Sequence, residues 1–470
     1  MAELTERDIS NIVQYVMAEL KDKGGESSSV TGVFKDISSA VAAAQRAQKM
    51  WMALPLEKRK DVISHVRERC RENAQVLAWM AWRETGIGRY EDKIEKNLLN
   101  ANKTPGIEDL EPFAWSGDHG LTLLERAPFG VIGSITPVTN PGATIIGNSI
   151  AIISAGNGVV FNPHPSAKQV CARTITIINQ AIVQAGGPPN LVTGIAEPTV
   201  ESAQELMKHP GTSLTLVTGG GEVVKVAMTT GKRAVCAGPG NPPVIVDETA
   251  DIELAAKGII KGASFDNNII CTDEKVLVVV DTVADQLIET LRGLGSRILS
   301  PDETSRLEKV IFTEAPKPNH HTALNKKMIG QNPSVILTEI GITIGDEVRL
   351  AIAQVPREHT LVWTEQMMPI LPLVRVSNAD DAIDFAIAVE GGRRHTAVMY
   401  SRHLDHLSRM AKECNVSIFV KNGPSLAGLG YGGEGFCSFS IAGTTGEGMT
   451  RPRTFARERR CTLVDSFRIV

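Results

Sequence analysis

The sequence predicts an α/β protein built on doubly wound parallel sheets. Three observations carry this. From Ala143 onward, helix-length and strand-length apolar segments alternate, which is the pattern of βαβ units. Glycine is frequent at 42 residues, while Phe, Trp and Tyr make up only 4%. That balance favours glycine turns between strands and helices over an aromatic-rich sandwich. Hydrophobic residues are 42% and charged residues 22% of a 470-residue chain, an ordinary globular composition with room for two or three domains.

The elements follow in order. Ile9, Ile12, Val13, Val16, Met17 and Leu20 fall on one helical face. Thr5 and Asp8 precede them like a capping box with Asp in place of Glu. The polar stretch KDKGGESSSVTG then reads as a flexible linker. A tethered amphipathic helix is a docking device; the plainer alternative is a terminal helix folded back on the body. The body opens near Gly32, and Asp36 to Gly86 reads as a run of amphipathic helices. Leu121 to Val138 is rich in β-branched residues and predicts strands. Helices are expected at 143–156, 167–186, 200–209, 221–231 and 251–264, with strands at 158–163, 190–195, 213–219 and 242–247 between them. A second alternating block covers about Glu274 to Val420. The tail from Phe436 reads as strand-like and charged, an arm that pairs with something else.

Several function classes are excluded early. Lys and Arg total 49 against 53 Asp and Glu, a net charge of −4; a nucleic-acid binder shows a basic excess. The stretch Ala143–Phe161 is too interrupted, by Asn148, Ser149, Gly156 and Asn157, to cross a membrane. The opening MAELTERDIS lacks the layout of a secretory signal. The seven cysteines are scattered, with no CxxC and no clustered Cys/His set. Neither a disulfide scaffold nor a zinc or other metal site is expected, and a cytoplasmic protein with reduced thiols is.

Four features could carry chemistry. Cys271 lies after a helix and a loop and just before a strand. There it can face a cleft, with nearby helix amides favouring the thiolate; alternatively it is one more buried thiol. The turn Val217–Glu222 holds Thr218, Gly219 and Gly220 between a strand and a helix, which suits a phosphate or is an ordinary βα turn. Asn140, in SITPVTNP, could donate to an oxyanion or simply cap the next helix. His395, beside Arg393 and Arg394, could be a base or a structural residue. The late basic cluster around Arg457 is interspersed with Glu458 and suits a salt-bridged arm.

Longer stretches carry a resemblance. RETGIGRYEDKIEKN, TPGIEDL, APFGVIGSITPVTNP, FNPHPSAK, AGPGNPPVIVDETADIELAAKGIIKGASFDNNIICTDEK, TEQMMPILPLVRV, RRHTAVMYS, VKNGPSLAGLGYGGEGF and TGEGMTRPRTFARERRC run in order through residues 32–470. Together they resemble the aldehyde dehydrogenase superfamily, nearest to its CoA-acylating branch. That branch comprises the acetaldehyde and propionaldehyde dehydrogenases of ethanolamine- and propanediol-utilisation microcompartments. The resemblance implies an aldehyde dehydrogenase fold: a Rossmann-like cofactor domain over 32–236, an α/β catalytic domain over 237–435, and a β oligomerisation arm over 436–470 joined by 113–127. It implies a homodimer or homotetramer.

The resemblance also assigns roles. Cys271 matches the nucleophile and Asn140 the oxyanion-hole asparagine. Glu365 matches the glutamate near the nicotinamide ribose. Thr218, Gly219 and Gly220 match the loop by the pyrophosphate. Thr136 and Pro137 lie on the nicotinamide side, and Pro163, His164 and Pro165 on the adenosine side. NAD and coenzyme A are the implied cofactors, and His395 the implied aid to positioning or deprotonating CoA. Two departures matter. Hydrolytic relatives carry a general-base glutamate in an E-L-G-G-K segment, where this chain has Cys236-Ala237-Gly238-Pro239-Gly240-Asn241-Pro242. Water then lacks its activator, and a thioester can wait for a thiol, which ionises readily. The Lys and Glu that hold the adenosine ribose in those relatives fall at Asn162 and Pro165, so the choice of NAD over NADP is not written there.

The implied reaction joins a short-chain aldehyde, NAD⁺ and CoA into acyl-CoA and NADH. The rivals are a hydrolytic aldehyde dehydrogenase and a non-catalytic microcompartment cargo protein. Residues 5–20 with their linker resemble the segments that target enzymes of this branch to a microcompartment lumen through shell or lumen proteins. No nucleic-acid or membrane partner is expected.

Overall fold

The computed structural model describes residues 32–470. The expected N-terminal helix and linker lie outside the described residues. The first half of the chain supplies β1 (Val33–Phe34), β2 (Phe113–Gly117), β3 (Gly120–Pro128), β4 (Val131–Thr136), β5 (Gly158–Pro163), β6 (Val192–Ile195), β7 (Leu214–Thr218) and β8 (Ala234–Ala237). The second supplies β9 (Pro243–Val246), β10 (Val276–Val280), β11 (Arg297–Leu299), β12 (Ala351–Gln354), β13 (Ile370–Val376), β14 (Thr396–Tyr400), β15 (Ile418–Lys421), β16 (Ile441–Ala442), β17 (Gly448–Met449) and β18 (Ala456–Val464).

Two parallel sheets form the body. The first has the order β1-β6-β5-β4-β7-β8 and the second β11-β12-β13-β10-β9-β14-β15. Strands β5, β7 and β10 are buried at every position, because helices cover both faces of a parallel sheet. This is why they read as unbroken apolar runs rather than alternating ones. The helix Pro141–Ser154 is likewise buried along its whole length. Its lack of a polar face reflects its place in the core. No helix among the described residues is long and apolar enough to cross a membrane. The helix Ile37–Ala53 packs on β5 and β6 of the first sheet, and Leu56–Glu72 and Ala74–Thr85 pack on the helix Lys168–Gln184. Trp51 anchors the first of these helices, fully buried with Nε1 donating to Ile153 O at 2.9 Å.

In the first sheet the chain winds outward from β4 in one direction through β5 and β6, and in the other through β7 and β8. The reversal leaves a crevice at the carboxyl ends of β4 and β7. Strand β8 then runs through Gly238–Pro242 into β9 of the second sheet. Carboxyl ends of the first sheet therefore face amino ends of the second, and the site lies between them.

The third sheet is antiparallel, in the order β18-β3-β2. Arg126 donates to Glu458 at 3.0 Å, and the Thr122 and Thr462 hydroxyls meet at 2.9 Å. Phe113, Trp115, Leu463 and Val464 are exposed on this ribbon, an apolar surface that a lone ribbon leaves wet. The tail differs from the sequence expectation in one respect. Only Ala456–Val464 joins the ribbon, so the arm does not begin at Phe436. Residues 436–455 instead strap across the first sheet. Ser440 Oγ meets Thr218 Oγ1 at 2.6 Å, and Thr445 Oγ1 accepts from Cys236 N–H at 2.9 Å. The cause is burial: Cys437, Phe439 and Phe455 belong to the body's core.

Candidate active site

A cavity of about 660 Å³ opens between the two sheets. Strands β4, β5 and β7 of the first sheet contribute residues at or just beyond their carboxyl ends. Thr136, Pro137 and Asn140 come from the end of β4 and the loop beyond it, and Pro163, His164 and Pro165 from the end of β5. Thr218, Gly219 and Gly220 come from β7 and its turn. The second sheet contributes Cys271 ahead of β10 and Glu365 ahead of β13. Eleven of the twelve candidate residues thus line one cavity. The twelfth, His395, is not among its lining residues and packs one layer behind, against Gly240.

The cavity fits a dinucleotide. Ala203, Met207, Val223 and Val226 make an apolar slot between the helices Val200–Lys208 and Gly221–Met228. A Cβ at Gly220 or Gly221 would meet nothing within 4 Å, so the turn leaves open space where the second helix presents its N-terminal amides. Such amides favour a phosphate.

The nucleophile loop is held in an unusual conformation. Asp266, Asn267 and Asn268 all have positive φ, at 45°, 55° and 63°. Three consecutive left-handed residues without a glycine cost about 1 kcal/mol each. Their side chains hold them there. Asp266 is fully buried and accepts from the Arg89 backbone N–H at 2.6 Å, from Lys93 Nζ at 3.0 Å, and from Lys96 Nζ. Asn267 accepts from Arg89 Nε at 2.9 Å and donates to Gly330 O at 2.8 Å. Asn268 donates to Ala263 O and Glu274 O at 2.8 and 2.9 Å. Its own carbonyl oxygens receive Lys275 Nζ at 2.5 and 2.6 Å. The loop therefore delivers Cys271 to the cavity wall from a rigid base.

Electrostatics run against the sequence expectation at Cys271. Helix amides were to favour its thiolate. Instead, burial pushes the thiol up to about 12, and the Glu365 carboxylate adds to the effect. Lys275 opposes both, but that ammonium is committed to Asn268 and Ile270 carbonyls. The helix ending at Ser264 precedes Cys271 and a strand follows it, so no flanking helix N-terminus is available. Glu365 is itself raised by burial, opposed by Lys275 and by the Gly240 N–H it accepts. His395 is pushed down to about 3, first by burial and then by Lys275 and Arg393, so its ring is neutral. Its Nδ1 lies 2.9 Å from Thr396 Oγ1, while Nε2 has no partner among the described residues.

Sequence reasoning assigned no part to Lys93, Lys96, Asp266 or Lys275. The visible signal was two lysines three apart on one helix, Tyr90–Lys103. Lysine is usually exposed, so nothing in the pattern marked them as buried.

The aldehyde dehydrogenase family model matches residues 29–304. The chain is 48% identical over 470 residues to the acetaldehyde dehydrogenase (acetylating) EutE of Salmonella typhimurium, covering 99% of this chain and 100% of that protein. It superposes with a TM-score of 0.90 on a propionaldehyde dehydrogenase from the Clostridium phytofermentans fucose utilisation bacterial microcompartment. That pair is 43% identical over 93% of this chain and 100% of the other. The Rhodopseudomonas palustris propionaldehyde dehydrogenase, solved with bound CoA and an acylated cysteine, gives the same TM-score of 0.90 at 45% identity, over 93% of this chain and 98% of the other. With a cysteine, an asparagine and a dinucleotide-sized cavity between two parallel sheets, the chain belongs to the aldehyde dehydrogenase family.

Proposed function

We propose that the protein is a CoA-acylating aldehyde dehydrogenase that converts a short-chain aldehyde, acetaldehyde or propionaldehyde, with NAD⁺ and CoA into acyl-CoA and NADH. The observation that carries this is that Cys271 and Asn140 line one cavity, with only Cys236–Pro242 where the hydrolytic relatives carry a general-base carboxylate. The relatives' acetylating chemistry, and the acylated cysteine beside bound CoA in one of them, support the same reading.

The chemistry starts at Cys271. Its thiol gives up its proton to solvent water, and the resulting thiolate adds to the aldehyde carbonyl carbon, whose oxygen takes the negative charge. The Asn140 amide and the Cys271 backbone N–H hold that oxyanion. When bound, NAD⁺ would supply the hydride acceptor; the Thr218–Gly220 turn and the apolar slot would hold it, and Glu365 would orient its ribose. Loss of hydride restores the C=O bond and leaves a thioester on Cys271. The CoA thiol, its proton released to solvent water, adds to that carbonyl, and the C–S bond to Cys271 breaks as Cys271 leaves as thiolate. The neutral His395, one layer behind the cavity wall, helps position the thiol; its buried Nε2, which has no partner among the described residues, supports this.

Residues 113–128 and 456–464 form the oligomerisation arm of a homodimer or homotetramer, which the exposed apolar side chains of that ribbon support. Residues 5–20 direct the enzyme to a bacterial microcompartment lumen, supported by their amphipathic pattern and by the microcompartment relative. The test measures NADH from propionaldehyde and NAD⁺ with and without CoA, alongside Cys271→Ala. One equivalent without CoA, sustained turnover with it, and none in the variant are expected. Sustained turnover without CoA would establish the hydrolytic reaction instead.

A further inference from the structure

Lys96 joins the two halves of the site. It lies on the helix Tyr90–Lys103 and is 2% exposed. Its ammonium reaches Asp266 in the nucleophile loop, Asn140 Oδ1 at 2.7 Å and Thr139 O at 3.2 Å. An ammonium has three protons and no acceptor. Here three acceptors surround it, so each proton is committed.

The consequence falls on Asn140. A side-chain amide can be turned either way about its last bond, and the two ends differ only in being donor or acceptor. Against a lysine only the oxygen end fits; the NH₂ end would set donor against donor. Lys96 therefore forces Nδ2 away from itself. One Nδ2 proton goes to Thr139 Oγ1 at 3.1 Å. The other is left uncommitted on a residue that lines the cavity. Asp266, in turn, belongs to the left-handed run that leads to Cys271.

We propose that Lys96 is a positioning residue for the oxyanion hole, locking the Asn140 amide with its NH₂ toward the reacting carbonyl and tying it to the loop that carries Cys271. This rests on the reading of Asn140 as an oxyanion donor. It assigns Lys96 no contact with aldehyde, NAD or CoA.

The test uses the full chain and reads the first-turnover burst of NADH without CoA, the KM for NAD⁺ and the Tm. Lys96→Met is expected to slow the burst about 10- to 100-fold, short of or equal to the loss from deleting an oxyanion donor, with the KM for NAD⁺ within about 2-fold. In an Asn140→Ala background the same change is expected to add less than about 3-fold, because the group it positions is gone. Trp51→Phe, remote from the site, is the fold control: it lowers Tm and leaves the burst intact. A normal burst in folded Lys96→Met overturns the proposal, as does a loss that multiplies with that of Asn140→Ala. A full burst in Asn140→Ala alone removes the oxyanion reading beneath it. Should Lys96→Met not fold, Asn140→Asp decides. Its carboxylate would rest on Lys96, so its Tm is expected at or above that of Asn140→Ala; a lower Tm overturns the proposal.

Discussion

Gly240→Ala tests how closely the nucleophile loop is held. Gly240 lies in the passage from β8 to β9, and a Cβ there would stand 2.5 Å from the Cys271 carbonyl oxygen and 3.1 Å from His395 Cγ. Ordinary contact begins at 3.4 Å, so the Cys271 carbonyl must retreat by about 0.9 Å. The neighbour is backbone, fixed by the Asp266–Asn268 network, and cannot turn aside as a side-chain tip would. A displacement of about 1 Å at a reacting group costs about 100-fold in rate, or roughly 2.7 kcal/mol of barrier. The expected outcome is a folded protein whose NADH burst from propionaldehyde is slowed about 100-fold. Gly238→Ala is the companion, since its Cβ meets only the Thr444 hydroxyl, at 2.9 Å. A loss under about 5-fold is expected there. An unchanged burst in Gly240→Ala would refute the argument that the loop is rigid at Cys271.

Two further outcomes concern pH. Because burial and Glu365 hold the Cys271 thiol near 12 in the ligand-free protein, its alkylation by iodoacetamide should rise about tenfold per pH unit from pH 7 to 10, with no plateau; a plateau near pH 8 would contradict this environment. Glu274, buried against the Ser425 N–H and hydroxyl at 2.9 and 2.8 Å, is lifted to about 7. The fold favours its protonated form, so that contribution is complete below the unfolded value of 4.5 and is lost as pH rises through about 7. The Tm of Glu274→Gln relative to the parent should therefore climb between pH 5 and 8, and a flat difference would refute it.

Much of the fold could be read from the chain because parallel strands covered on both faces appear as short apolar runs between helices. The cavity lining came from the family resemblance rather than from local pattern, and the structure supplies the physical reason those positions converge: Thr136, Pro163 and Thr218 each end a strand, and strand ends of a doubly wound sheet meet at the switch point. What stayed hidden was set by distant neighbours. The strap at 436–455 looks like strand in composition, yet Ser440 and Thr445 find their partners more than two hundred residues away. Lys93, Lys96 and Lys275 look like surface lysines until the fold buries them around Asp266 and Asn268. The environment of Cys271 depends on Glu365, which no local window contains.

The left-handed run also constrains how this sequence can change over time. Backbone geometry alone would welcome glycine at 266, 267 and 268. Each side chain there, however, joins the loop to a different part of the molecule: the helix Tyr90–Lys103, the Gly330 segment, and the start of β10. A drift to glycine relieves the backbone and cuts those ties, while a drift to a larger residue keeps bulk and deepens the strain. Substitutions that are harmless one at a time elsewhere are blocked from both sides here. Lineages descending from this enzyme are expected to keep a short polar triplet ahead of the nucleophile, even where the surrounding surface has diverged.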